Sequence, residues 1–232
     1  MQIESSTTSE ASLEWASIHR RVLALANVVA EQYASAVRSL RAYDPAAVAQ
    51  VIATSAELEL QERALDTCCC EQLLQKSEID NGDVRRTAAA ANIGAELERI
   101  SEESTRIAKA VNGAPFEREA ESIYSFATLR EITTRTGQLL GDALRAIEDF
   151  DTALASRLLA DDEVINHESQ TILRGAIMLM LEDRRTISGA LDALALSNSV
   201  ERIAAHIKSI AHWVLYAAVD VGTPKNTLPV SA

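Results

Sequence analysis

Aromatic residues are scarce in this chain, at 4% of 232 residues, while apolar residues as a whole reach 47%. Few rings and abundant alanine suit closely packed helices better than strands, which favour aromatic and β-branched side chains. Positive charge is also short, with 22 Lys and Arg against 34 Asp and Glu and a net charge of −12. A nucleic-acid backbone needs a basic footprint, so this balance speaks against DNA or RNA and leaves cations or basic protein surfaces as partners. The only cysteines are adjacent, Cys68-Cys69-Cys70. Neighbours on a helix point about 100° apart, so these three cannot form a disulfide framework. They read as small apolar residues partly in a core, in a reducing cytoplasm, rather than as a soft-metal or redox site. Long apolar runs are missing too, which predicts no membrane span. Met1-Gln2-Ile3-Glu4-Ser5-Ser6 has neither the basic start nor the apolar stretch of a signal peptide. Gly-rich phosphate loops, Gly-x-Ser-x-Gly, His-Glu-x-x-His and Cys-x-x-Cys are all absent, so nothing points to an enzyme.

The four prolines, at positions 45, 115, 224 and 229, interrupt no periodic apolar run. Asp44-Pro45 predicts a helix start, with an N-cap followed by proline at the first helical position. Asn112-Gly113-Ala114-Pro115 predicts a stop and a new start, and Gly222-Thr223-Pro224 the end of the last helix. Between these marks apolar residues recur every three or four positions, as in Ile18, Val22, Leu25, Val29, Tyr33, Val37 and Leu40.

Two such series are the same. Ile93, Leu97, Ile100, Ser104, Ile107 and Val111 are matched, 103 residues on, by Leu196, Val200, Ile203, Ile207, Ile210 and Val214. Earlier positions repeat at an offset of 107: Val22 with Leu129, Tyr33 with Leu140, Asp44 with Asp151, Leu58 with Ile165 and Leu65 with Ile172. The turn Ser77–Asp83 is about four residues longer than its counterpart near Glu182-Asp183-Arg184, which accounts for the change of offset. The chain is therefore a duplicated helix–turn–helix–turn–helix unit. Its expected fold class is all-α, two tandem antiparallel three-helix bundles with six long helices. The expected boundaries are a flexible N-terminus over 1–10, bundles over 11–113 and 115–222, and a flexible tail over 223–232.

Within the third helix of each unit the wording is familiar. Glu96-Leu97-Glu98-Arg99-Ile100-Ser101-Glu102 is followed by Arg106-Ile107-Ala108-Lys109, and Val200-Glu201-Arg202-Ile203-Ala204-Ala205-His206 by Ser209-Ile210-Ala211. Met180-Leu181-Glu182-Asp183-Arg184-Arg185-Thr186-Ile187 opens the last helix. This resembles the PhoU family of phosphate-signalling regulators, whose third helices carry a stretch like Leu-Glu-Arg-Ile-Gly-Asp and then Asn-Ile-Ala. The likeness covers nearly the whole chain.

The resemblance implies carboxylate motifs of the Glu/Asp-x-x-x-Asp kind, able to hold metal clusters on the bundle surface. Carboxylates at i and i+4 share a helical face, as hard cations require. The implied first site is Glu59, Glu98 and Glu102, with Ser55 at a further ligand position; the implied second is Asp162 and Glu201, with Asn166 and Ala205 where ligands would stand. By heptad position all of these lie outside the apolar seam. Ser101 and Ala204 replace the motif glycines, and Arg106 and Ser209 the asparagines. A first-site cation would be iron, zinc or another divalent ion. His206 sits just beyond Ala205 and is expected at the surface, with a substitute ligand as the alternative. Trp15 and Trp213 are expected to cover bundle ends.

In function the resemblance implies a cytoplasmic negative regulator, reaching the membrane only through partners. It would relay phosphate sufficiency from the phosphate transporter's ATPase subunit to a sensor histidine kinase by contact, with a homodimer as a further expectation. Two alternatives stand beside it. One is a metal-dependent protein like the di-iron bundles, although those use inward Glu-x-x-His motifs. The other is a divergent relative serving a different transporter or kinase.

Overall fold

The computed structural model describes residues 4–41, 44–75, 81–111, 124–160 and 163–218, and every element among them is helical. In chain order these are α1 (Glu4–Arg41), α2 (Pro45–Gln75), α3 (Asn81–Val111), α4 (Tyr124–Asp149), α5 (Thr152–Ala160), α6 (Glu163–Glu182), a short 3-10 turn (Arg184–Thr186) and α7 (Ile187–Ala218). Helices α1, α2 and α3 pack on one another, and α4, α5, α6 and α7 make the second bundle. The middle helix of the second bundle is described as Thr152–Ala160 and Glu163–Glu182, and residues 161 and 162 between them lie outside the described residues. Helix α1 is described from Glu4 onward, and the midpoint break at 112–115 and the tail over 223–232 lie outside the described residues.

The two starts paired by the repeat are built alike. The Asp44 carboxylate accepts from the backbone N–H groups of Ala46 (3.0 Å) and Ala47 (3.2 Å), capping α2. Asp151 does the same for Ala153 and Leu154, both at 2.9 Å, capping α5. Each occupies donors that a helix start leaves without intrahelical partners. Just before Asp151, Phe150 has φ of 51°, the left-handed C-terminal position usually filled by glycine. Its ring packs near Trp15 and His19, at centroid distances of 5.7 and 5.3 Å, and this packing offsets the backbone strain. Trp15 is thus a partly buried lid where the two bundles meet.

The apolar stripes form one continuous core. Ile93, Leu97, Ile100 and Ile107 of α3 are buried, as are Leu196, Val200, Ile203, Ile207, Ile210 and Val214 of α7. Each fully buried side chain of this size contributes roughly 1.5–3 kcal/mol. The polar member of the α3 series, Ser104, donates its hydroxyl to the Ile100 carbonyl one turn back (2.8 Å), so it costs no orphaned group. Cys69 is buried in the same core, which pushes its thiol up to about 12; Cys70 is exposed.

The third helices of the two units, α3 and α7, pack against each other more extensively than any other pair, and α1 packs on α4. Along α1 and α4 the contacts run antiparallel. The His19 ring lies 3.0 Å from the Ile147 carbonyl, and Tyr33 donates its hydroxyl to the Thr133 carbonyl at 2.8 Å. Gly137 makes this approach close, because a Cβ there would stand 3.3 Å from the Tyr33 ring.

Candidate cation site and the seam between the bundles

Helices α2 and α3 lie side by side, so residues outside their shared apolar stripe meet along the edge of the contact. Glu98 is half-buried there, and its carboxyl is held above the usual range by burial and then by the negative charges of Glu102, Glu62 and Glu59. All three residues of the implied first site therefore share one electronegative patch. Glu62 belongs to it as well and was missed. It is one helical turn from Glu59, and its own carboxyl is raised by burial and by Asp66.

As arranged, these residues do not fit an ion. Among the described residues no three acids, histidines or cysteines converge closely enough to hold one. Glu59 is engaged by Arg63, and Glu102 lies 3.6 Å from Arg106. The lost ligand position has a use of its own: the Ser101 hydroxyl lies 3.3 Å from that of Ser55, so the serine replacing a motif glycine meets the serine replacing a motif acid. In the second bundle Asp162 lies outside the described residues, Glu201 is half-buried, and Ala205 faces solvent with no donor atom.

His206 departs from expectation. It is partly buried rather than at the surface, and its Nδ1 lies 2.7 Å from Oε2 of Glu96 across the seam between α3 and α7. Glu96 also accepts from Arg99 at 2.9 Å. One heptad further, Glu103 is buried and accepts from Arg106 in its own helix and from Arg202 of α7 at 3.3 Å. At the other end of the seam, Arg85 donates Nε to the Tyr216 carbonyl (3.1 Å), with its guanidinium 4.1 Å above the Tyr216 ring. Buried carboxylates tolerate desolvation only when paired, so these contacts fix the register of α3 on α7. The sequence held a signal for them. Glu96 and Glu103 stand seven apart on one face, and the repeat aligns Glu103 with His206 and Arg99 with Arg202, so the acid of one copy stands where the other has a histidine. A single bundle considered alone gives no reason to pair them.

A cleft of about 250 Å³ opens beside the seam between Arg106 and Arg202, floored by Leu196 and Ala110. That is below the roughly 300–1,000 Å³ of small-molecule sites.

Comparison with known proteins agrees with this architecture. The PhoU domain model matches residues 22–111 and again 129–214. These spans begin and end at the two offsets relating the residue series. The phosphate-specific transport system accessory protein PhoU homolog of Pseudomonas putida is 30% identical over 199 residues, covering 86% of this chain and 77% of the relative. The PhoU accessory protein of Escherichia coli K12 is 27% identical over 203 residues, 88% of this chain and 83% of the relative. The crystal structure of PhoU from Pseudomonas aeruginosa superposes with a TM-score of 0.82 at 26% identity, covering 89% of this chain and 97% of that one. PhoU from Streptococcus pneumoniae shares the fold, with a TM-score of 0.80 at 21% identity over 89% of this chain and 96% of that one.

Proposed function

The chain belongs to the PhoU family, and on that premise we propose that it is a cytoplasmic accessory regulator of phosphate uptake that works by contact. Its helical faces dock on the ATPase subunit of a phosphate transporter and on a sensor histidine kinase. Through them it restrains the phosphate-starvation response while phosphate is plentiful. The observation that carries the reading is the family match to both repeats, one after the other, over most of the chain. Two physical features support it. The bundles are tied by paired buried charges and a shared core, so a contact on one face is transmitted as motion of a single body. The net charge of −12 favours basic partner faces and speeds encounter with them. Among the described residues no helix is long and apolar enough to cross a membrane, so its place at the transporter is through partners. The test is a phosphate-repressible reporter in cells lacking the chain. Reporter activity in rich phosphate should rise on deletion and fall again when the chain is restored, and unchanged repression in the deletion would sink the proposal.

A cation on the first bundle is a second reading, supported by the concentration of Glu59, Glu62, Glu98 and Glu102 around one edge. Those carboxylates would have to turn away from Arg63 and Arg106 to converge. Elemental analysis of protein purified without chelator or affinity metal decides it. Metal present in the wild type and lost in Glu98→Ala/Glu102→Ala supports the ion, and metal-free wild type removes it.

A further inference from the structure

Helix α6 exposes an apolar stripe that packing among the described residues does not explain. Leu173, Ile177 and Leu181 stand at i, i+4 and i+8, with Met178 beside them; Leu181 is 80% exposed and Met178 60%. The other arm of the hairpin exposes Ile187 and Leu191. The internal repeat supplies a control. At the matched positions α2 carries Asp66, Cys70, Glu71 and Leu74, all exposed, so the fold turns this face outward in both copies but only the second makes it apolar. Charge changes sign as well: where α2 has Thr67 between two acids, α6 has Arg174 within the stripe. Residues 170, 171, 177 and 178, one turn away on either side, are Gln, Thr, Ile and Met, so no carboxylate stands one turn from Arg174. Among the described residues its Nε donates only to the Gln170 carbonyl of its own helix, at 3.2 Å.

We propose that this stripe is a docking surface for a partner protein's short amphipathic helix, whose apolar side chains cover Leu173, Ile177, Met178 and Leu181 and whose carboxylate meets Arg174. The proposal rests on the contact-regulator reading above and adds to it which face makes the contact. Charge complementarity selects the occupant. An apolar face with an arginine that has no acid one turn away fits an apolar face that carries one. Size argues against a permanent dimer, since a standard stable interface uses roughly 20–30 residues a side and this stripe offers a handful.

The experiment measures binding of the full-length chain to the purified transporter ATPase subunit and to the purified cytoplasmic part of the sensor kinase. Wild type is compared with Leu181→Glu, Met178→Glu and Arg174→Glu, and with Leu74→Glu at the repeat-matched position of α2, which is 85% exposed. All four are exposed positions, so each variant should keep its helical circular dichroism. Expected is a loss of affinity of roughly tenfold or more for Leu181→Glu and Met178→Glu toward one of the two partners. Arg174→Glu should weaken the same complex, and Leu74→Glu should leave it unchanged. Full binding by all the α6 variants would overturn the stripe and leave the regulator standing. Equal loss from Leu74→Glu and Leu181→Glu would also overturn it, as an unspecific charge effect. A wild-type dimer that Leu181→Glu makes monomeric, or co-sedimentation with phosphatidylglycerol vesicles abolished by Leu181→Glu, would replace the occupant by a second copy or a lipid surface. Wild type binding neither protein would overturn both readings.

Discussion

Replacing Tyr33 by Phe removes one oxygen from the middle of the contact between α1 and α4. Tyr33 is 2% exposed, and its hydroxyl donates to the Thr133 carbonyl at 2.8 Å. Burial raises the phenol well above its ordinary pKa, so it remains a donor throughout the working pH range. The Phe ring keeps the contact near Gly137, and only the hydrogen bond is lost. A buried neutral hydrogen bond contributes about 0.5–1.5 kcal/mol net. The Thr133 carbonyl lies within α4 and keeps its intrahelical acceptor role, so the loss falls near 1 kcal/mol rather than at the cost of a fully orphaned group. For a chain of this size that lowers Tm by about 2–4 °C. Calorimetry and urea unfolding followed by circular dichroism are the assay. If the bundles unfold as one unit, the single transition moves down with an unchanged denaturant slope. A wild-type transition that splits in two, or a Tyr33→Phe shift confined to one of two phases, would refute the coupling of the bundles. No shift at all would refute the hydrogen bond.

Glu98→Gln should stabilise the fold at neutral pH by about 0.3–0.5 kcal/mol, judged from the like-charge i,i+4 pair with Glu102 alone. Because the folded pKa of Glu98 is raised above 4.5, the native state binds its proton more tightly than the unfolded chain. The penalty is therefore absent below about pH 4 and grows as pH rises through the folded pKa, so the gain from Gln should vanish in acid melts. Gly141→Ala in α4 meets no neighbour within 4 Å and should gain up to about 1 kcal/mol of helix propensity. Gly94→Ala would set its Cβ 2.8 Å from Cδ2 of the buried Leu65, so in parallel urea titrations it should be neutral or destabilising where Gly141→Ala is stabilising. Asp44→Ala and Asp151→Ala each remove a carboxylate that accepts two N–H bonds, and each should cost about 1 kcal/mol by the same titrations.

Much of this was legible from residues alone. The stripe of α7, the paired caps at Asp44 and Asp151 and the duplication follow from local rules of period and capping, which require no tertiary knowledge. The family resemblance brought Glu59, Glu98 and Glu102 to one patch, yet it could not place Arg63 and Arg106, whose side chains take up two of those acids. His206 and Glu96 are 110 residues apart, and their contact depends on how α3 crosses α7. Nothing periodic in one helix encodes that crossing. The exposed stripe of α6 was hidden for the opposite reason: Leu173, Ile177 and Leu181 keep the period of a core helix, and only packing distinguishes a face that is covered from one that is not.

The central claim is regulation by contact, and its most direct test is affinity capture with the tagged chain from phosphate-replete cells. The expected result is that the ATPase subunit of the phosphate transporter and the sensor histidine kinase are both retained, and that both are lost from a mock capture lacking the chain. Retention of neither, with the chain soluble and helical, would contradict the claim.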